Sequence, residues 1–256
     1  MRPAESPQKP LLLLIHGAWH SAACWQGLIP LLDSEGLEFL APDLPGHGQN
    51  SQYSGRISLK VYSRYISHII DNYNNKLIIV GHSMAGMLIS QVAAERPEPI
   101  SRLVYLSAYL PQSGQSLFDL MQTYRQNYGP APIEDALQYS EDKMHCSLRA
   151  EDLCPLFYNT CTPSQQQAAR TLIQTQASLP LAGKVSFDQK YLKEIPKTYI
   201  RCLQDKVIPE QQYQDMLLPY PDVHRQTLDS DHSPFYSHPE KLARILVNIV
   251  NENSSY

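Results

Sequence analysis

The sequence has little that would commit it to a metal, a nucleotide, a nucleic acid or a membrane. Its five cysteines are scattered, at Cys24, Cys146, Cys154, Cys161 and Cys202, and no C-x-x-C pair occurs. That spacing signals neither a disulfide framework nor a zinc ribbon, and adding His145 to the set does not produce a metal-ligand pattern. Neither a G-x-x-x-x-G-K-S/T string nor a G-x-G-x-x-G string is present, so no nucleotide cofactor is indicated. Charge is not concentrated in one sign: the formal net charge is −4 and there is no basic block, which argues against nucleic acid or an anionic membrane as partner. The longest early apolar run, Leu11–Ile15, is five residues, too short for a signal-peptide core or a membrane span. Internal repeats and low-complexity tracts are missing too. The expectation is a soluble, cytoplasmic chain without metal or cofactor, its 256 residues forming one domain with a sizeable core.

What is there is an alternation. The apolar run at 11–15 reads as a strand buried on both faces, 38–42 as a short second strand, 76–80 as a third and 102–106 as another buried one. Between them lie helical spacings: 22–32; a helix capped by Ser58 with Leu59, Tyr62, Ile66 and Ile69 on one face; and 87–95, which should stop before Pro97. The order β-α-β-α-β-α-β predicts a parallel sheet with helices on both faces. The alternation breaks at 111–197, where no clear strand is read and helical patches at 117–128 and 164–177 sit among polar stretches and prolines. Such a length is unusual for a plain connection and reads as a cap over the sheet's carboxyl end. Alternation resumes with a strand at 198–203, a helix from Pro209 bearing Tyr213, Met216 and Leu217, and a strand at 224–228. A final helix follows from about Pro239, with Leu242, Ile245, Leu246 and Ile249 on one face. The fold class is thus α/β, a mostly parallel sheet of about six strands flanked by helices. Residues 1–110 and 198–256 form the core and 111–197 a mainly helical cap. Residues 1–10 read as a loose arm and 251–256 as a frayed tail.

The string Gly81-His82-Ser83-Met84-Ala85-Gly86 organises this layout. It joins the 76–80 strand to the next helix, the setting of a serine on a sharp strand-to-helix turn. Gly81 and Ala85 stand two residues either side of Ser83, with Ala85 where glycine is usual, and Gly86 adds a small position where helix meets sheet. A serine hydroxyl needs a base, and the base needs a group to orient it. In a parallel sheet those groups belong just past strand carboxyl ends. Asp205 follows the 198–203 strand and His232 follows the last strand, so Ser83, Asp205 and His232 stand in nucleophile-acid-base order. Asp231 adjoins His232 too closely in sequence to orient it, and Asp229 reads as a turn residue. Backbone N–H groups of Met84 and of Ala18, in the turn His16-Gly17-Ala18, are the candidate oxyanion donors. Trp19, His20 and His82 are candidate pocket residues, although His82 should point away from the serine hydroxyl.

These residues resemble the α/β-hydrolase superfamily over nearly the whole chain, least so in the cap. More narrowly, His16-Gly17-Ala18-Trp19-His20 with Trp25, Tyr199-Ile200-Arg201-Cys202 leading to Gln204-Asp205-Lys206, and Asp231-His232-Ser233-Pro234-Phe235 are similar to the small esterases grouped with plant methylesterases and hydroxynitrile lyases, and to their bacterial relatives. The resemblance implies a small carboxylic ester as substrate, a capped pocket, an acyl-enzyme on Ser83 and no cofactor. The plant lyases carry lysine right after the catalytic histidine and threonine after the first histidine of the His16 motif. Here those positions hold Ser233 and Gly17, which favours hydrolysis. Carbon–carbon lyase chemistry and a ligand receptor without turnover stand as alternatives. Oligomeric state is open, a homodimer among the options. Tyr124, Tyr128, Phe157 and Tyr158 in the cap suggest an apolar or aromatic substrate.

Overall fold

The computed structural model describes residues 9–253. The first half runs β1 (Leu11–Ile15), α1 (Ile29–Ser34), β2 (Phe39–Leu40), α2 (Leu59–Asp71), β3 (Leu77–His82), α3 (Ala85–Glu95) and β4 (Ile100–Leu106). A long segment follows, with α4 (Leu117–Tyr128), α5 (Pro132–Ala136), β5 (Leu137–Tyr139), β6 (His145–Leu148), α6 (Ala150–Phe157), α7 (Pro163–Arg170), β7 (Gln176–Ala177), α8 (Ser178–Ala182) and α9 (Gln189–Glu194). The chain ends in β8 (Lys197–Cys202), α10 (Glu210–Leu217), β9 (His224–Leu228), α11 (Pro234–Ser237) and α12 (Pro239–Asn253).

Six strands form one sheet in the order β2-β1-β3-β4-β8-β9, and every pair in it is parallel. The expected strands are therefore all present. The central ones are buried along their whole length, as their continuous apolar runs demand. Side-chain alternation splits them between two cores. Leu11, Leu13, Ile15, Leu77, Ile79, Leu103 and Tyr105 face one side. Leu12, Leu14, Ile78, Val80, Val104 and Leu106 face the other, against Trp25 and the α12 residues Leu242, Leu246 and Ile249. β9 is an edge strand, and its polar sequence His-Arg-Gln-Thr-Leu is buried only at Leu228.

Several expectations need correction. The helix expected over 22–32 is a short 3-10 turn, Ala22–Trp25, followed by α1. Pro30 explains the break, because a residue without an N–H fits the first helical turn and not the interior. The segment 111–197 carries a three-stranded antiparallel sheet, β5-β6-β7, as well as helices. Its strands are two to four residues long and poor in β-branched residues, so no periodicity announces them. The patch at 117–128 is α4 as expected, but that at 164–177 is helical only over Pro163–Arg170 and ends in β7. α12 continues to Asn253, so 251–253 is helix and not tail. The loose arm expected over 1–10 falls, for 1–8, outside the described residues, as do 254–256 of the tail.

The Ser58 cap is present: its hydroxyl accepts the Val61 N–H at 3.3 Å, and Leu59, Tyr62, Ile66 and Ile70 face inward. Ser58→Ala removes one partner of a helix N-terminus and should cost about 1 kcal/mol. A lowered urea midpoint with an unaltered denaturant slope would register it.

Candidate active site

Ser83 lies just past the carboxyl end of β3, the strand flanked by β1 and β4 at the centre of the sheet. Its φ is +54°, in the left-handed region that costs a non-glycine residue about 1 kcal/mol or more. Backbone bonds hold it there. Its N–H donates to Leu106 O at 3.3 Å, and its carbonyl accepts the N–H groups of Gly86 and Tyr109, both at 3.1 Å. Gly86 is required by close approach, since a Cβ there would run into the Tyr109 carbonyl and the Ala108 side chain. Gly17 is required likewise: a Cβ would stand 2.8 Å from His82 Nδ1 and 2.9 Å from the Ser83 Cβ. The turn after β1 therefore passes directly over the serine.

Asp205 and His232 come together as the sequence suggests. His232 Nδ1–H donates to Asp205 Oδ2 at 2.8 Å, with both side chains fully buried. The other carboxylate oxygen accepts the N–H groups of Val207 and Ile208 at 2.7 and 3.0 Å. Burial alone would raise the Asp205 pKa, but the His232 ring, these N–H donors and Arg201 together hold it below the usual carboxylate value. His232 Nε2 makes no hydrogen bond among the described residues, so the ring keeps one nitrogen available, and Ser83 is not bonded to it. Asp231 and Asp229 do not orient the ring. Asp229 is exposed and accepts the Gln204 amide at 2.7 Å. Asp231 accepts the Ser233 N–H and the Ser237 hydroxyl through one oxygen and the Thr160 N–H through the other.

A small, narrow cavity opens at Ser83. Ala18, Met84 and Trp19 line it as expected, and the rest of its wall is almost wholly apolar, with Tyr109, Phe118 and Met121 among the larger contributors. Among the described residues neither the Ala18 nor the Met84 N–H has a backbone partner. His20 and His82 do not line this cavity. His20 is buried against Tyr158, and His82 Nε2–H donates to the His232 carbonyl at 2.9 Å. The cap aromatics offered by the sequence are elsewhere too. Tyr128 is half exposed, Tyr124 packs on Tyr128, and Phe157 and Tyr158 pack on His20.

Arg201 went unassigned in the sequence. It is buried, with Nη1 3.6 Å from Asp205 Oδ2 and 3.1 Å from Ile208 O, and Nε 3.2 Å from Glu210. Its signal was a charge within an apolar strand, which needs a partner wherever the strand is buried on both faces.

The profile of the alpha/beta hydrolase family matches residues 12–245. A pyrethroid hydrolase of Sphingobium wenxiniae is 30% identical over 251 residues, 96% of this chain and 89% of that one. The putative chloroplastic methylesterase 13 of Arabidopsis thaliana is 29% identical; the match takes in 96% of this chain and 57% of that longer one. Among solved structures, a pyrethroid hydrolase from Sphingobium faniae superposes with a TM-score of 0.84 at 28% identity, covering 96% of this chain and 99% of that one. Polyneuridine aldehyde esterase, at 22% identity over 94% and 99% of the two chains, shares the fold with a TM-score of 0.83.

Histidines crowd this region. Burial first, then the other imidazoles, push His16 and His82 well below their ordinary value, and burial pushes His20 down to about 4. A lowered value in the fold means that the unfolded chain binds more protons once the pH falls below 6.5. The stabilisation from keeping these rings neutral is complete above that pH and is lost as the pH drops through the folded values. Asp205 is also held low, so its contribution survives to a more acidic range and is lost only below 3.8. Urea midpoints should therefore fall between pH 7 and pH 4. In His20→Asn that fall should shrink by on the order of 3 kcal/mol.

Proposed function

The chain belongs to the alpha/beta hydrolase family and is an esterase-type hydrolase, and from that premise we propose that it cleaves a small apolar carboxylic ester through an acyl-enzyme on Ser83. The observation that carries this reading is the buried His232–Asp205 bond with His232 Nε2 left unpaired, in a site whose serine is held on a strained turn. Ser83 attacks the ester carbonyl while His232 Nε2 takes its proton. Asp205 keeps the other ring nitrogen protonated and stabilises the imidazolium. The N–H groups of Ala18 and Met84 receive the developing oxyanion. His232 then protonates the departing alcohol and activates water against the acyl-enzyme. The Ser83–His232 hydrogen bond forms as substrate fills the cavity, since such bonds are often long in the empty enzyme.

Residues 111–197 act as the cap in this reading, because Phe118, Met121 and Leu181 from that segment line the cavity above Ser83. An almost apolar wall favours an ester with little polar decoration. The relatives named for pyrethroid and methyl ester hydrolysis support the substrate class. The five cysteines are free and buried, which supports a reducing, cytoplasmic setting. No helix among the described residues is long and apolar enough to cross a membrane. Nothing favours the lyase alternative: the position after His232 is Ser233, a buried residue that brings no cation.

A series of p-nitrophenyl esters tests the proposal. Multiple turnovers are expected, falling as the acyl chain outgrows the cavity, which also separates an enzyme from a ligand receptor. Ser83→Ala should lower kcat by about 10⁴-fold or more; full activity in that variant would falsify the assignment. Asp205→Asn leaves the ring in place but unsettles its tautomer, and should reduce kcat by on the order of 10⁴.

A further inference from the structure

The turn that carries Ala18 is not in a relaxed conformation. Trp19 has φ +61°, a left-handed backbone that a bulky side chain adopts only under strain. Three hydrogen bonds from the 111–197 segment hold it. Trp19 Nε1–H donates to Cys146 O at 3.2 Å, the Gln174 N–H donates to Trp19 O at 2.8 Å, and the Tyr158 hydroxyl lies 2.8 Å from His20 Nε2. His20 Nδ1 lies 2.9 Å from Ala18 O. A carbonyl can only accept, so Nδ1 carries the hydrogen, and Nε2 must accept the Tyr158 O–H. The result is a directed chain, Tyr158 O–H to His20, then His20 N–H to the Ala18 carbonyl. Phe157 closes the group, with its ring centroid 6.0 Å from those of both Trp19 and His20.

We propose that His20 and Tyr158 are positioning residues for the oxyanion site: the cap, through this chain, fixes the turn that presents the Ala18 N–H to Ser83. The inference rests on the esterase reading of the same site. Its physical basis is that an oxyanion donor acts through its placement at the developing charge, and a strained turn drifts from that placement when its ties are cut. Neither residue lines the cavity at Ser83. Loss of the chain should therefore weaken the transition state and leave ground-state binding alone.

Three variants separate this from a plain packing role. Tyr158→Phe keeps the buried ring and removes only the donor to His20. His20→Asn places an amide N–H where Nδ1 stood and can still reach Ala18 O. His20→Gln places its amide near the Nε2 position and cannot. Measured on an ester that the wild type turns over, Tyr158→Phe should lower kcat by roughly tenfold and His20→Gln by about a hundredfold, with KM within about twofold, and His20→Asn should recover most of the loss seen in Gln. Affinity for phenylboronic acid, whose serine adduct is tetrahedral and carries an oxyanion-like oxygen, should fall in step with kcat/KM. Unaltered kcat in Tyr158→Phe and His20→Gln, with Ser83-dependent turnover in the wild type, overturns this proposal alone. Equal losses in Asn and Gln that follow a drop in melting temperature overturn it in favour of packing. No Ser83-dependent turnover in the wild type overturns the esterase reading and this inference with it.

Discussion

A carboxylate and an imidazole share one hydrogen bond in complete burial, and much of the structure is arranged around keeping that bond affordable. An isolated charged carboxylate in such a place would cost several kcal/mol or would take up a proton. Asp205 avoids this by accepting two backbone N–H groups on one oxygen from the turn that follows it, and by facing Arg201, 3.6 Å away, with the oxygen that binds His232. Arg201 is itself balanced by Glu210, the Ile208 carbonyl and the face of Tyr213, 5.3 Å away. The partners come from two neighbouring strands whose register is set by five parallel pairs from Thr198↔His224 to Cys202↔Leu228. Beyond the last pair, backbone bonds from Leu203 to Leu228 and from Gln204 to Ser230 carry the pairing into both loops. A one-residue slip in β9 would therefore turn His232 away from Asp205 as well as burying the wrong face of the strand.

The 111–197 segment grips this centre from two sides. On the side of the Ala18 turn it supplies Cys146, Gln174 and Tyr158. On the side of His232 it supplies Thr160, whose N–H and hydroxyl pair with the Asp231 carboxylate and N–H at 3.1 and 3.3 Å. Asp231 also binds the Ser237 hydroxyl at 2.8 Å, so the loop bearing His232 is tied both to α11 and to the segment above it. The two grips are close in sequence, Tyr158 and Thr160 lying on either side of Asn159. A movement of that short stretch would be felt at His232 and at the Ala18 turn together.

The six strands, the turn at Ser83 and the Asp205–His232 pair were legible because each has a local signature: apolar runs, small residues around Ser83, and polar groups placed just past strand ends. The β5-β6-β7 sheet was not legible, since strands such as His-Cys-Ser-Leu carry no alternation and exist through pairing with distant chain. That gap had a consequence, because the Cys146 carbonyl that receives the Trp19 indole sits in β6. The pocket assignment failed in part for a related reason. Trp19 and His20 are adjacent in sequence, but the left-handed backbone at Trp19 sends one side chain to the cavity and the other behind it. Backbone sign at a non-glycine residue leaves no trace in composition or spacing. Arg201 could have been found by asking what a buried charge on a central strand is paired with.

The electrostatic design follows from these contacts. If His232 takes the serine's proton, a positive charge appears in a region that already holds His16, His20, His47 and His82. The ring of His82 lies 4.7 Å from that of His232, and His20 lies 5.8 Å from His82. Were any of these protonated, it would oppose the imidazolium at short range and low dielectric. Burial lowers the pKa of all four, the other imidazoles add to this for His16, His20 and His82, and the hydrogen bonds of His16 and His20 demand the neutral state. His16 Nε2 accepts the Leu44 N–H and His20 Nε2 accepts the Tyr158 hydroxyl, which a protonated ring could not do. The neutral histidines thus serve as oriented, polarisable packing. Positive charge at the centre is confined to Arg201, already compensated by Glu210, and to His232, where Asp205 is waiting for it.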